Sequence, residues 1–306
     1  MENYNLNNNY IHKLSLVNNG GENPTSIENG YFIFTLMPSL RCSLNCPHCY
    51  LSLEQRRNSE LMKIDEIKIA CEKVHEYYST QKIKNKLIIC YWYGGEPTEM
   101  GIEYFNSAID SINSSFKKID GYTVKHTILT SLITIDQNLW FDFFKTHCEN
   151  HFQTSFDGFM RGKTYVKKWE EKIKLAHIAG LNIGTITVVN NEILKLGATQ
   201  TLGYLTSLNI KEASFLPFML NEQNIGQKYD KYAPTMNNYS DFMIELSNLY
   251  FNNKKNNIVQ PEIGQLSFIL HQKDSADLSN IASQTLFLLP NGDFVLPDIR
   301  TDIKNI

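Results

Sequence analysis

From residue 31 onward two hydrophobic patterns alternate along the chain. Short runs rich in β-branched and aromatic residues read as strands: YFIFTLMP (31–38), KLIICYWYG (86–94), YTVKHTILTS (122–131), HFQTSFDG (151–158), NIGTITVVN (182–190) and EASFLPFML (212–220). Between them apolar residues recur every three or four positions. In KIDEIKIACEKVHEYYS (63–79), Ile64, Ile67, Ile69, Ala70, Val74 and Tyr77 fall largely on one helical face. GIEYFNSAIDSINSSF, IDQNLWFDFFKTHC, KTYVKKWEEKIKLAHIAG and LGATQTLGYLTSL follow the same logic, and Gly180 stands where a helix C-cap belongs. Strand–helix alternation implies parallel strands, buried on both faces and joined by right-handed crossovers. Six such units fall short of the eight in a closed barrel. The expected fold class is therefore α/β, a partial (β/α)6 TIM-like barrel over residues 31–220, with chemistry at the C-terminal strand ends.

The pattern breaks down at both ends. Residues 1–30 are Asn-rich and aperiodic, and read as a lead-in. After Leu220 a polar stretch precedes an amphipathic segment, YSDFMIELSNLYFNNKKNN, then IGQLSFILHQ and QTLFLLPNGDFVLPDIR. Asn291-Gly292 in the last of these signals a hairpin turn. Residues 221–306 are expected to form a short α+β C-terminal extension of helix plus hairpin.

Composition narrows the function. The net charge of −3 argues against a general nucleic-acid binder. No apolar run approaches the ~20 residues of a membrane span, and the first residues lack a secretory h-region. A cytoplasmic location is expected, where thiols stay reduced. Of six cysteines, Cys71, Cys90 and Cys148 lie in apolar or helical segments and read as buried thiols.

The other three crowd into RCSLNCPHCYLS (41–52), as Cys42-x3-Cys46-x2-Cys49. Thiolates suit zinc, cuprous copper or iron–sulfur clusters. A structural zinc site needs a fourth ligand, and four cysteines are the usual complement of a [4Fe–4S] cluster. His48 is the local candidate, which would make a zinc-binding module of three cysteines and one histidine, but it adjoins Cys49. Without it one metal position stays vacant, the mark of a catalytic site. The next strand ends in YWYGGEPTEM (91–100), where Gly94 and Gly95 permit close backbone approach and Glu96 offers a carboxylate to a cation. Tyr91, Tyr93, Glu99, Asp157 and Arg161 are the candidate acids and bases at strand ends, and Cys90 a candidate hydrogen donor.

The cysteine spacing followed by Tyr50 resembles the signature loop of the radical S-adenosylmethionine (SAM) enzymes, and Gly94-Gly95-Glu96-Pro97 resembles their GGEP motif. The resemblance implies that Cys42, Cys46 and Cys49 bind three irons of one [4Fe–4S] cluster. SAM would chelate the fourth iron, and its reductive cleavage would give a 5′-deoxyadenosyl radical that abstracts hydrogen from a substrate. Gly94, Gly95, Glu96 and Pro97 would then hold SAM. Thr130 and Ser131 stand where the family often has Thr-Asn-Gly, without that Asn and Gly. Ser155 would bond the SAM ribose or carboxylate, and Asp157 would face the substrate pocket. Val188, Val189 and Asn190 would edge the adenine, with Leu216, Pro217, His48 and Tyr50 packing against it.

TSFDG (154–158) and the terminal LLPNGDFVLPD resemble the subgroup that holds sulfatase-maturing enzymes and peptide maturases, with SPASM or twitch extensions. Those extensions carry a cysteine after the hairpin. Here Asp298 stands in its place and no cysteine follows Cys148, so a single cluster is expected. The implied function is hydrogen abstraction from a peptide in natural-product maturation. The alternative is a small molecule, a sugar or nucleotide, undergoing dehydration, deoxygenation or epimerisation. The implied partners are that substrate and an electron donor such as flavodoxin or ferredoxin, with neither membrane nor nucleic acid.

Overall fold

The six expected strands all form in the computed structural model, which describes residues 31–79, 86–117, 121–219, 227–271 and 285–295. They are β1 (Tyr31–Leu36), β2 (Lys86–Trp92), β3 (Tyr122–Ile128), β4 (His151–Ser155), β5 (Asn182–Val189) and β6 (Glu212–Pro217). The lead-in and Asp298 lie outside the described residues. Within each half of the wall successive strands pair in parallel, β1–β2–β3 and β4–β5–β6. A bridge between Leu129 and Gln153, with Thr130 N–H donating to Gln153 O at 2.9 Å, links the two halves. Because the strands are parallel, their C-terminal ends share one rim.

Helices α1 (Leu53–Arg57), α2 (Ile64–Ser79), α3 (Ile102–Lys117), α4 (Gln137–His147), α5 (Lys163–Ile178) and α6 (Asn191–Ser207) follow the strands. Beyond β6 come α7 (Gln227–Tyr232), α8 (Met236–Lys255), β7 (Glu262–Ile263), α9 (Gly264–His271), β8 (Thr285–Leu288) and β9 (Phe294–Val295). The wall is longer than six strands: β7 pairs in parallel with β6, and β8 with β1. β8 and β9 form the expected hairpin, in which Gly292 takes φ +84°. Its first strand covers the β1 edge, whose backbone groups would otherwise lack partners. At the other edge the Gln265 amide donates to Phe215 O and accepts from Phe215 N–H, at 2.9 and 2.8 Å, continuing the ladder past the two-residue β7.

The helix faces obey the 3.6-residue period with two corrections. On α2 the buried seam is Ile67, Ala70, Cys71 and Val74, while Ile69 is 57% exposed. Two residues along a helix turn through about 200°, so Ile69 cannot share the face of Ile67. The helix expected from Leu196 begins at Asn191, whose predecessor Asn190 caps Glu192 N–H and Ile193 N–H, and it breaks at Gly197 (φ 76°, ψ 165°). The amphipathic pattern marks just the segment after that break. Gly180 ends α5 at φ +83°, donating to His177 O. Cys71, Cys90 and Cys148 are buried in the core.

Between the sheet and its helices lies an aromatic cluster. Phe105 meets Trp92 edge-on at 4.9 Å and Trp140 at 5.4 Å, and Phe144 stacks on Phe152 at 4.8 Å. His126 lies beside it. Trp92 Nε1–H donates to His126 Nδ1 at 3.2 Å, which leaves the ring proton on Nε2, against Asn113 Oδ1 at 3.3 Å. Burial, and then the His147 charge, push its pKa down to about 4 from 6.5. The unfolded chain therefore takes up this proton at higher pH than the folded one. The stabilisation is whole above about pH 6.5 and is lost as pH falls toward 4, by about 3 kcal/mol at most. Urea unfolding of wild type and His126→Gln at pH 7 and pH 5 checks this: the variant should lose less stability over that interval.

Candidate active site

The cysteine loop leaves β1 at the C-terminal rim and is fastened from several sides. Ser52 and Gln55 form a capping box that starts α1, and its last turn carries Arg56, whose Nη1 donates to Leu44 O at 2.6 Å and to Asn45 Oδ1 at 3.2 Å. Arg56 O in turn accepts Cys42 N–H at 3.1 Å. Glu99 accepts from Ser43 N–H at 2.9 Å, and Tyr50 donates its hydroxyl to Gly94 O at 2.8 Å. Arg56 was not among the sequence candidates, although SLEQ (52–55) carries the capping-box signal that positions it.

The GGEP segment lies directly beneath this loop. Gly95 N–H donates to Ser39 O at 3.1 Å and Glu96 N–H to Arg41 O at 2.9 Å. A Cβ on Gly95 would sit 2.1 Å from Arg41 O, and one on Gly94, at φ +113°, 2.5 Å from Ser39 O. The close approach that these glycines permit is to the backbone of the cysteine loop itself. Pro97 opens a 3-10 turn (Pro97–Met100) capped by Glu96.

Glu96 is 2% exposed and ties strand ends together. Its Oε1 accepts from Thr98 Oγ1 at 2.6 Å and Thr130 Oγ1 at 2.7 Å, and its Oε2 from Ser131 N–H at 2.8 Å. Thr130 and Ser131 are buried and directed at this carboxylate. Glu96→Gln would turn an amide NH2 toward one of these donors, and should cost about 1–3 kcal/mol in urea unfolding. A variant as stable as wild type would remove Glu96 from this role.

On β4 the burial alternates, so that His151, Gln153 and Ser155 share the half-buried interior face. Tyr91 donates to Gln153 Oε1 at 2.9 Å from across the barrel. Above it, Tyr93 stacks between Tyr91 (5.9 Å, 16°) and Tyr50 (5.8 Å, 7°), a column of three rings rising to the cysteine loop. Leu216, at the end of β6, is 40% exposed. Val189 is a correction: it is fully buried among the helices, because the alternation along β5 turns Val188, not Val189, to the interior. Asn190 is equally engaged, its amide donating to Asp157 O at 3.0 Å and Val188 O at 2.8 Å.

Asp157 is buried and held by four groups. Arg161 Nε donates to its Oδ2 at 2.8 Å, Arg161 Nη2 contacts the same oxygen, and Val188 N–H donates to Oδ1 at 2.9 Å. His48 Nε2 is the fourth, 3.5 Å from Oδ2. Burial pushes the Asp157 carboxyl up, but the Arg161 charge, with the Val188 N–H bond, outweighs it and holds the group below its ordinary value. His48 is pushed down to about 4, by burial first. In this geometry Asp157 is an ion-pair partner of Arg161, with both carboxylate oxygens engaged.

Three observations bear on the fit to a [4Fe–4S] cluster with SAM. Cys42, Cys46 and Cys49 are half-buried thiols on one loop, outside any disulfide. Burial pushes all three thiols up, Cys42 to about 12, so they are neutral until a metal deprotonates them. His48 Nδ1 is buried without a partner, a polar atom left for a group the protein does not supply. Among the described residues no three His, Cys, Asp or Glu side chains converge on a single-ion site, and His48 turns to Asp157 and Arg161. The donor set suits an iron–sulfur cluster, which these three cysteines would hold.

No family model matches the sequence, and no curated protein is similar to it. Solved structures match in three dimensions. anSMEcpe with bound AdoMet superposes at a TM-score of 0.69 and 16% identity, over 89% of this chain and 75% of that one. Streptococcus suis SuiB bound to precursor peptide SuiA gives 0.56 and 12%, over 100% and 72%. HydG, a maturase of the [FeFe]-hydrogenase, gives 0.52 and 13%, over 72% and 51%. Among the described residues no helix is long and apolar enough to cross a membrane. At such identities the likeness establishes the fold, and this chain has the partial parallel barrel of the radical SAM structures.

Proposed function

We propose that the chain is a radical SAM enzyme that abstracts hydrogen from a peptide. The observation that carries this reading is the delivery of three thiols, on one braced loop, to the C-terminal mouth of a barrel shared with AdoMet-bound structures. Cys42, Cys46 and Cys49 would hold the cluster. When bound, the cluster and SAM supply an electron and a strong hydrogen-atom abstractor.

The remaining tasks fall to the protein. Glu96 Oε2 keeps a lone pair beyond its bond to Ser131, which would accept from the SAM ammonium. Thr130 and Ser131 hold that carboxylate in place. Gly94, Gly95 and Pro97 bring it under the loop. Ser155, on the interior face of β4, would bond the ribose or carboxylate of SAM. The half-buried rings of Tyr50 and Tyr93 wall the space beside the cysteines and exclude water, and His48 Nδ1 offers a polar contact there. Leu216 forms the far rim.

A peptide substrate is supported by neighbours of the same fold: anSMEcpe carries the Kp18Cys peptide in one structure, and SuiB its precursor peptide. The small-molecule reading draws on the lack of any cysteine after Cys148, which leaves the extension without ligands for a further cluster. Anaerobic reconstitution, then dithionite and SAM, tests the chemistry: brown protein forming 5′-deoxyadenosine is expected, and colourless protein with one zinc would sink it. Adding peptides encoded beside the gene, against sugars and nucleotides, then distinguishes the substrates by which of them changes mass.

A further inference from the structure

Asp157 and Arg161 make a buried ion pair, with His48 packed against it, and the reading above gives that pair no task. Side-chain exposure is 0% for Asp157, 8% for Arg161 and 14% for His48. Arg161 presents its whole fork: Nε and Nη2 to Asp157, Nη1 to Tyr165 Oη at 2.8 Å, and Nη2 also 3.4 Å from His48 Nε2. Tyr165 adds its ring face, 5.1 Å from the guanidinium carbon. Removing either member would leave a buried charge unpaired, so the pair acts as one unit.

The position of this unit is informative. Asp157 follows β4, Arg161 precedes α5 and Val188 lies in β5, all in the second half of the barrel. His48 belongs to the cysteine loop, whose braces at Arg56, Glu99 and Gly94–Glu96 all come from the first half. The pair therefore reaches across the mouth. It also brings a cation to the cysteine loop: Arg161 Nη2 lies 3.4 Å from Nε2 of His48, which stands between Cys46 and Cys49 in the chain.

We propose that the Asp157–Arg161 pair is a positioning device for the cysteine loop: Asp157 fixes the guanidinium, and the guanidinium fixes His48 and sets the charge that Cys46 and Cys49 face. This rests on the proposed cluster site. A positive charge beside a cluster favours its reduced, more negative state by Coulomb attraction, and Asp157 offsets that effect. The two residues are thus opposed in charge while joined in structure.

The opposition supplies the test. Wild type, Asp157→Asn, Arg161→Gln and Arg161→Lys are reconstituted anaerobically and titrated for the cluster midpoint potential without SAM. Hydrogen exchange over residues 41–52 is followed in the unloaded proteins. Asp157→Asn should raise the potential by leaving the cation uncompensated, and Arg161→Gln should lower it. Arg161→Lys, which keeps the charge but not the fork, should hold the potential near wild type while residues 41–52 exchange several-fold faster. Shifts of the same sign in Asp157→Asn and Arg161→Gln overturn the proposal, as does an unmoved potential in Arg161→Gln. If Asp157→Asn does not fold, the Gln and Lys variants of Arg161 still decide. A wild type that binds no iron defeats the cluster reading and the proposal together, whereas a fully loaded wild type with unresponsive variants defeats the positioning role alone.

Discussion

Alanine at any one of Cys42, Cys46 or Cys49 should abolish cluster loading and, with it, 5′-deoxyadenosine formation. Each thiolate would hold a separate iron, so two remaining thiols cannot compensate for the third. The loop backbone should survive the change, because its braces run through Arg56, Glu99 and Gly95 and not through sulfur. The loss should therefore appear in iron content, visible absorbance and nucleoside yield, with the urea midpoint close to wild type. Cys71, Cys90 and Cys148 provide the contrast. They are 1%, 0% and 2% exposed within the core, so alanine there should lower stability by on the order of 1 kcal/mol and leave iron loading intact. Full iron content in any of the first three variants would overturn the ligand assignment.

Gly95→Ala should have the largest effect on stability of any single methyl addition at the site. The new Cβ would lie 2.1 Å from Arg41 O, 2.4 Å from Leu40 O and 2.6 Å from Arg41 C, all of them backbone atoms. No side-chain rotamer can relieve that overlap, so the loop must lift from the end of β2. It would lose the hydrogen bonds of Gly95 N–H to Ser39 O and Glu96 N–H to Arg41 O. Overpacking of about 1–3 kcal/mol and two hydrogen bonds of about 1 kcal/mol each give a loss of roughly 3–5 kcal/mol, together with poor cluster loading. Gly203→Ala is the control: nothing lies within 4 Å of its Cβ position, and in mid-helix it should stabilise by about 0.5–1 kcal/mol. Urea unfolding of both variants checks the contrast, and a Gly95→Ala protein as stable as wild type would show that the loop does not need this contact.

Much of the site could be read from neighbouring residues along the chain. The three thiols are separated by three and two residues, so their placement on one loop follows from the spacing alone. The GGEP run follows its strand immediately, and parallel pairing places every strand end on one rim. Where the reading from sequence erred, the deciding contact was remote. Val189 was assigned to the adenine edge, but the pairing of β5 with β4 and β6 turns it into the helical layer. Gly94 and Gly95 were read as making room for a ligand, whereas the atoms they accommodate belong to residues 39–41. Asp157 reads from sequence as facing substrate, and the Val188 N–H that engages its Oδ1 lies 31 residues further along the chain.

The sequence by itself determined the six strands, their helices, the hairpin at Asn291-Gly292 and the thiol triplet, because hydrophobic period, turn chemistry and ligand spacing act over a few residues. The tertiary structure decided that β8 would join β1, that Glu96 would bind Thr130 and Ser131, and that Arg161 would reach His48 across the barrel mouth. Those pairings join residues from 34 to 252 positions apart. They arise when burial removes water from polar groups that must then find one another, and no local pattern records which partner they find.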